Sequence, residues 1–260
     1  GFTRVLVAVD DASRWIFVAL LRRASKELTC LAMRHILRLA SATHSVLNTK
    51  VIRCDNGTEF RNNLVDALIA ESNIQREFTC VDTSHQNGVA EVAIRKLFAI
   101  ARTMLVDASL PPRFWGEAIM AAAHVHNRMP CRSNPNNASP YEIRHGSLPD
   151  LRHLRPFGIA AFVRIKEHIT KVMPRAKQGI MLGYGHAVSS QKGWRILMQD
   201  TNTVATTTDV TFGKSLSESV STRPAELTST DSFAVDDRHS SSLVSPRPGL
   251  PNSLNFTDSP

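Results

Sequence analysis

The sequence predicts an α/β domain built on a mixed sheet, followed by a small all-β domain and a polar tail. Three observations carry that expectation. Two apolar, β-branched runs stand side by side at the N-terminus, strand-like and helix-like periods then alternate, and short apolar runs punctuated by glycine follow residue 156. Residues 4–9 (RVLVAV) and 15–20 (WIFVAL) are joined by the polar DDASR, which suits a hairpin. SKELTCLAMRHILRLASA, residues 25–42, opens on a serine cap and carries Leu28, Leu31, Ile36 and Leu39 near helical spacing, which predicts an amphipathic helix. VIRC at 51–54 reads as a strand, about 61–72 as a helix and 74–79 as a short strand.

A polar loop, VDTSHQNG at 81–88, precedes a long helix. Within 89–109, Ala90, Ala93, Ile94, Leu97, Ala101, Met104 and Leu105 recur at three- and four-residue steps and make one apolar stripe. A second helix starts after Pro111 and Pro112 and runs to Pro130. Beyond it, 157–165, 177–185, 193–198 and 203–212 read as strands of a small barrel or curled sheet. The expected division is therefore a core at 1–130, a linker at 131–155, a β-domain at 156–212, and a disordered Ser/Thr/Pro-rich linker or tail at 213–260.

Thirty-one Lys and Arg face 23 Asp and Glu, giving a net charge of +8 and favouring a polyanionic partner. No apolar run reaches the length of a membrane span, so no membrane partner is expected. The four cysteines, Cys30, Cys54, Cys80 and Cys131, form no C-x-x-C pair and read as reduced thiols.

Asp55 ends an apolar strand and begins Asp-Asn-Gly, which is good turn chemistry by itself. A second carboxylate, Glu91, lies just after the polar loop, with 35 residues between the two. CDNGTEF (54–60), HQNGVAE (85–91), LPPRFWGEAI (110–119), NNASPYEI (136–143), LRPFGIAAFV (154–163) and IMLGY (180–184) together resemble the integrase segment of copia-type retrotransposon polyproteins, over residues 1–212.

That resemblance implies a ribonuclease-H-like core with flanking helices, its first strand expected upstream of Gly1, followed by an SH3-like domain. It also implies two aspartates and a glutamate as ligands of a two-metal Mg²⁺ or Mn²⁺ site in the complete parent. Asp55 and Glu91 fall on the second and third members, and the first is expected upstream. Asp10 and Asp11 also end an apolar strand, but they fall on the hairpin turn and read as turn residues. Joining DNA by in-line phosphodiester attack calls for such carboxylates, because hard cations prefer oxygen ligands.

The partners so implied are element DNA ends, target DNA and further copies of the parent. The active parent is expected in the nucleus, and the chain otherwise inside the cell. On a helix, Arg95 and Arg102 lie about 40° and about 20° from Glu91 around the axis. With Gln86, Asn87 and Gly88 they are candidate DNA contacts, against the alternative of a surface ion pair between Glu91 and Arg95. Val92 and Ala93 stand where many members carry Arg and Lys. The rival function is a catalytically inactive nucleic-acid-binding remnant. With its first aspartate missing, the chain alone is expected to be inactive.

Overall fold

A computed structural model describes residues 1–41, 49–78, 88–165, 173–185 and 192–213, and the backbone of 252–259. The chain divides into two compact units, one drawn from Gly1–Leu97, Val125–Leu151 and Val235–Pro260, the other from Phe98–His124 and Arg152–Ala234.

The first unit is an α/β layer. Strands β1 (Arg4–Asp10) and β2 (Ile16–Leu21) pair antiparallel as the expected hairpin. Helix α1 (Lys26–Ser41) leads to β3 (Thr49–Cys54), α2 (Asn63–Glu71) and β4 (Gln75–Phe78). Helix α3 (Gly88–Asp107) follows and passes from the first unit into the second at Leu97. Strand β4 runs parallel to β3, so a helix crosses between them, as a parallel pair requires.

Every residue from Val5 to Val9 is at most 2% exposed, so both faces of β1 are covered. On one face Leu6 and Ala8 join Met33, Ile36 and Leu37 of α1, Ile52 and Cys54 of β3, Phe60, and Val65, Leu68 and Ile69 of α2 in one core. The buried stripe of α1 is Thr29, Met33, Ile36 and Ala40, whereas Leu39 is 45% exposed. The helix is thus rotated from the expected Leu28–Leu31–Ile36–Leu39 phase, because Met33 and Ala40 continue the step from Ile36 more closely. In α3 the expected stripe is present as Ala90, Ala93, Leu97 and Ala101, all buried.

Two expectations are corrected in this unit. Residues 131–151, expected as linker, belong to it. Helix α5 (Pro140–His145) is capped by Ser139, and Arg144 is buried with its Nη2 donating to the carbonyls of Leu39 at 2.5 Å and Ala40 at 3.3 Å. Asn134 donates to the Ser13 carbonyl at 3.0 Å, and Asn127 makes two bonds to the backbone of Ile16. Buried backbone groups need partners, and this segment supplies them.

The second correction concerns the tail. Residues 252–259 form β10 (Asn252–Ser259), inside the sheet order β2-β1-β10-β3-β4. It lies antiparallel to β1 and parallel to β3; residues 214–251 of the expected tail lie outside the described residues.

In the second unit a 3-10 turn at Pro112–Phe114 leads into α4 (Trp115–His126), most of which lies here. The five strands are β5 (Ala160–Arg164), β6 (Ala176–Tyr184), β7 (Trp194–Met198), β8 (Val204–Thr207) and β9 (Val210–Phe212). Their order is β8-β7-β6-β5-β9, and every pairing is antiparallel. Strands β8 and β9 stand at opposite edges, yet only Thr208 and Asp209 connect them. So short a link forces the edges together and curls the sheet into the expected small barrel.

Candidate metal and nucleic-acid site

Asp55 is the first residue after β3, half-buried beside the buried Cys54. Its Oδ1 accepts the Gly57 N–H at 3.0 Å, so the turn role and a half-buried strand-end carboxylate coexist in one residue. Burial raises the Asp55 pKa, the Gly57 hydrogen bond opposes that shift, and the Glu59 carboxylate adds to it. The Cys54 thiol is pushed up to about 12 by burial and by the charge of Asp55.

Glu59 is the residue that sequence reasoning missed. The Glu59 carboxylate folds back over the turn, its carboxyl carbon 2.6 Å from where a Cβ on Gly57 would stand. Its backbone is held in turn: the Glu59 carbonyl accepts from Asn62 Nδ2 at 2.8 Å, while Asn62 Oδ1 caps α2 by accepting from Leu64 and Val65 at 3.1 Å each. Phe60, fully buried, anchors the loop to the core. Its signal in the sequence was the second carboxylate four residues after Asp55, which the Asp55–Glu91 spacing overshadowed.

Glu91 lies in the first turn of α3, exposed, where the helix dipole favours a carboxylate. It lines an open cleft of about 490 Å³ together with Gly88, Arg95, Lys96, Arg14, His126 and Val9. Arg95 and Arg102 are exposed, on the side of α3 opposite its alanine stripe, although Arg102 falls in the second unit. Among the described residues Glu91 and Arg95 form no ion pair. Burial lowers the His126 pKa, and nearby Lys96 lowers it further, so its imidazole is held neutral near the cleft. Gln86 and Asn87 lie outside the described residues.

Asp55 is not among the residues lining this cleft, and among the described residues no three His, Cys, Asp or Glu side chains form a metal-holding cluster. Asp10, the tempting alternative, is spent on its turn. It is 5% exposed, and its Oδ2 accepts from the backbone N–H of Ser13 at 3.2 Å and from the Ser13 hydroxyl. Asp11 pairs with Arg14 at 2.5 Å. The donor chemistry at Asp55 and Glu59 is all carboxylate oxygen, which fits a hard divalent cation such as Mg²⁺.

Residues 1–84 match the family described as integrase core domain, and residues 159–225 match the retroviral polymerase SH3-like domain. Over 209 residues, or 80% of the chain, the sequence is 31% identical to the retrovirus-related Pol polyprotein from transposon TNT 1-94 of Nicotiana tabacum. It is 27% identical over 131 residues to the corresponding polyprotein from transposon RE2 of Arabidopsis thaliana. The matched parts span 15% and 9% of those polyproteins. Among solved structures, the HTLV-2 integrase catalytic core domain in complex with magnesium is similar at 20% identity and a TM-score of 0.43, covering 54% of this chain and 82% of that one.

Proposed function

We propose that this chain, a retrotransposon integrase segment that falls among the copia-type Pol polyproteins, is the part that joins element DNA ends to target DNA. The observation that carries this reading is the half-buried Asp55, raised in pKa by burial at a strand end, beside the Glu59 carboxylate. A carboxylate that is costly to charge where it stands is relieved by a bound cation.

Asp55 and Glu91 are the ligands proposed for Mg²⁺ or Mn²⁺, and the Glu59 carboxylate adds negative charge near Asp55. When bound, the metals would stabilise the attacking and leaving oxygens of an in-line phosphodiester displacement. The protein's own contribution is positioning. Strand β3 fixes Asp55, the first turn of α3 fixes Glu91, and Arg95, Lys96 and Arg102 offer guanidinium and ammonium groups to phosphate, with Gln86, Asn87 and Gly88 at the approach. Working as a homo-oligomer in the nucleus belongs to the same proposal.

Strand transfer and metal binding, measured together, test it. Mn²⁺ binding that disappears in Asp55→Asn and in Glu91→Gln supports the ligand assignment; binding indifferent to both changes removes it. Because no three-ligand cluster forms among the described residues, little strand transfer is expected from the chain by itself, and robust transfer would overturn the view that a third carboxylate is needed.

A second reading, a nucleic-acid-binding remnant without catalysis, is favoured by Val92, 37% exposed on the face where cations would grip DNA. Salt-sensitive DNA binding unchanged by Asp55→Asn, with no metal-dependent transfer, selects it.

A further inference from the structure

Arg34, Arg53 and Arg76 are each neutralised by a carboxylate of α2 or β4. Arg34 pairs with Glu71 at 2.9 Å, Arg53 with Glu77 at 3.0 Å and Arg76 with Asp66 at 2.5 Å. Arg61, in the loop between β3 and α2, differs. Among the described residues it forms no ion pair, although Asp55 and Glu59 lie in the same loop.

Its guanidinium is held in place all the same. The central carbon lies 4.5 Å from the centroid of the Phe78 ring, and Nη2 donates to Asn56 Oδ1 at 2.6 Å. Both holders adjoin Asp55. Phe78 packs against the core and is level with Cys54, the residue before Asp55, and Asn56 is the residue after it. Arg76 lies over the same ring at 4.6 Å, so two cations share one aromatic side chain and only Arg76 has a carboxylate.

Opposite charges in one short loop ordinarily find each other, for a modest gain. Here Phe78 and Asn56 hold the cation elsewhere, and the groups that shift Asp55 are its own burial, the Gly57 N–H and Glu59, none of them a cation. A guanidinium carries five N–H donors in a fixed plane, and Asn56 takes one. Stacking uses the face of that plane and leaves its edge open to an oxyanion. A side chain already stacked and tethered also loses less freedom on binding than a loose one.

We propose that Arg61 binds a backbone phosphate of the DNA strand brought to Asp55, its stacked guanidinium donating to a non-bridging oxygen. The contact reads no base and so is independent of sequence. This rests on the reading of the chain as a DNA-joining segment, and it adds a substrate contact on the Asp55 side to those on α3.

Fluorescence anisotropy of a labelled DNA duplex, titrated with the full chain over a series of KCl concentrations, tests it. Each neutralised phosphate contributes about 0.9 to the slope of log K against log salt, so Arg61→Gln should make the slope shallower by about 0.9, equally for unrelated duplex sequences. Arg61→Lys keeps the charge and loses the planar fork, so it should keep the slope and weaken binding. Arg34→Gln removes the same charge from a guanidinium already paired with Glu71 and should leave the slope unchanged. Arg61 is exposed, so its variants should melt with the parent, which thermal unfolding checks. A slope unchanged by Arg61→Gln, or reduced as much by Arg34→Gln, would overturn the Arg61 contact and leave the integrase reading standing. Absence of salt-dependent DNA binding by the parent chain would overturn both. The expected slope change beside Mn²⁺ binding indifferent to Asp55→Asn would support the contact and select the non-catalytic reading.

Discussion

At the scale of single residues, the metal role proposed for Asp55 would set stability against function. Its charge is penalised by burial and by Glu59, so Asp55→Asn, which keeps an acceptor for the Gly57 N–H, is expected to leave the melting temperature unchanged or raised at pH 7 while abolishing metal binding. Thermal unfolding beside Mn²⁺ titration checks both halves. The strand-end position of Asp55 was legible in the sequence, because an apolar run ending in Asp-Asn-Gly has a local signature. The position of Glu59 was not, because its carboxylate folds back over the Gly57 turn, and the DNG signature shows the turn without showing which later side chain lies over it.

At the scale of elements, most strands and helices could be read from their periods, and the failures share one cause. Helix α1 was found but mis-phased: leucine marks an apolar position without saying which neighbour covers it, and the sheet chose the Met33–Ile36–Ala40 side. Segment 131–151 looked like linker because its contribution is polar. Arg144 caps the end of α1 and stacks at 5.2 Å over Trp15 and 5.0 Å over Phe17, contacts more than a hundred residues away in sequence. Arg144→Ala should lower stability by about 2–3 kcal/mol, the scale of hydrogen bonds from a charged donor, and Arg144→Met should recover the stacking share alone. In the second unit, Arg195 and Glu117 form a two-pronged ion pair at 2.6 and 2.8 Å, with side chains 7% and 14% exposed. Glu117→Ala should cost about 3–5 kcal/mol by stranding the guanidinium, whereas an apolar pair at both positions should come close to the parent. Denaturant midpoints distinguish these outcomes.

At the scale of the whole molecule, charge and connectivity matter more than any one contact. His35, His126 and His145 all have pKa values lowered by burial and then by neighbouring cations: Arg38, Lys96, and Arg144 with Arg128. The folded state therefore resists protons that the unfolded chain accepts below about pH 6.5, so stability is whole above that pH and declines as pH falls from there towards 5. Urea unfolding between pH 7.5 and pH 5 reads this out. Connectivity has a consequence for rate: Val5 pairs with Ser259, so closing the first sheet joins backbone far apart in sequence, and long-range pairing of that kind slows folding.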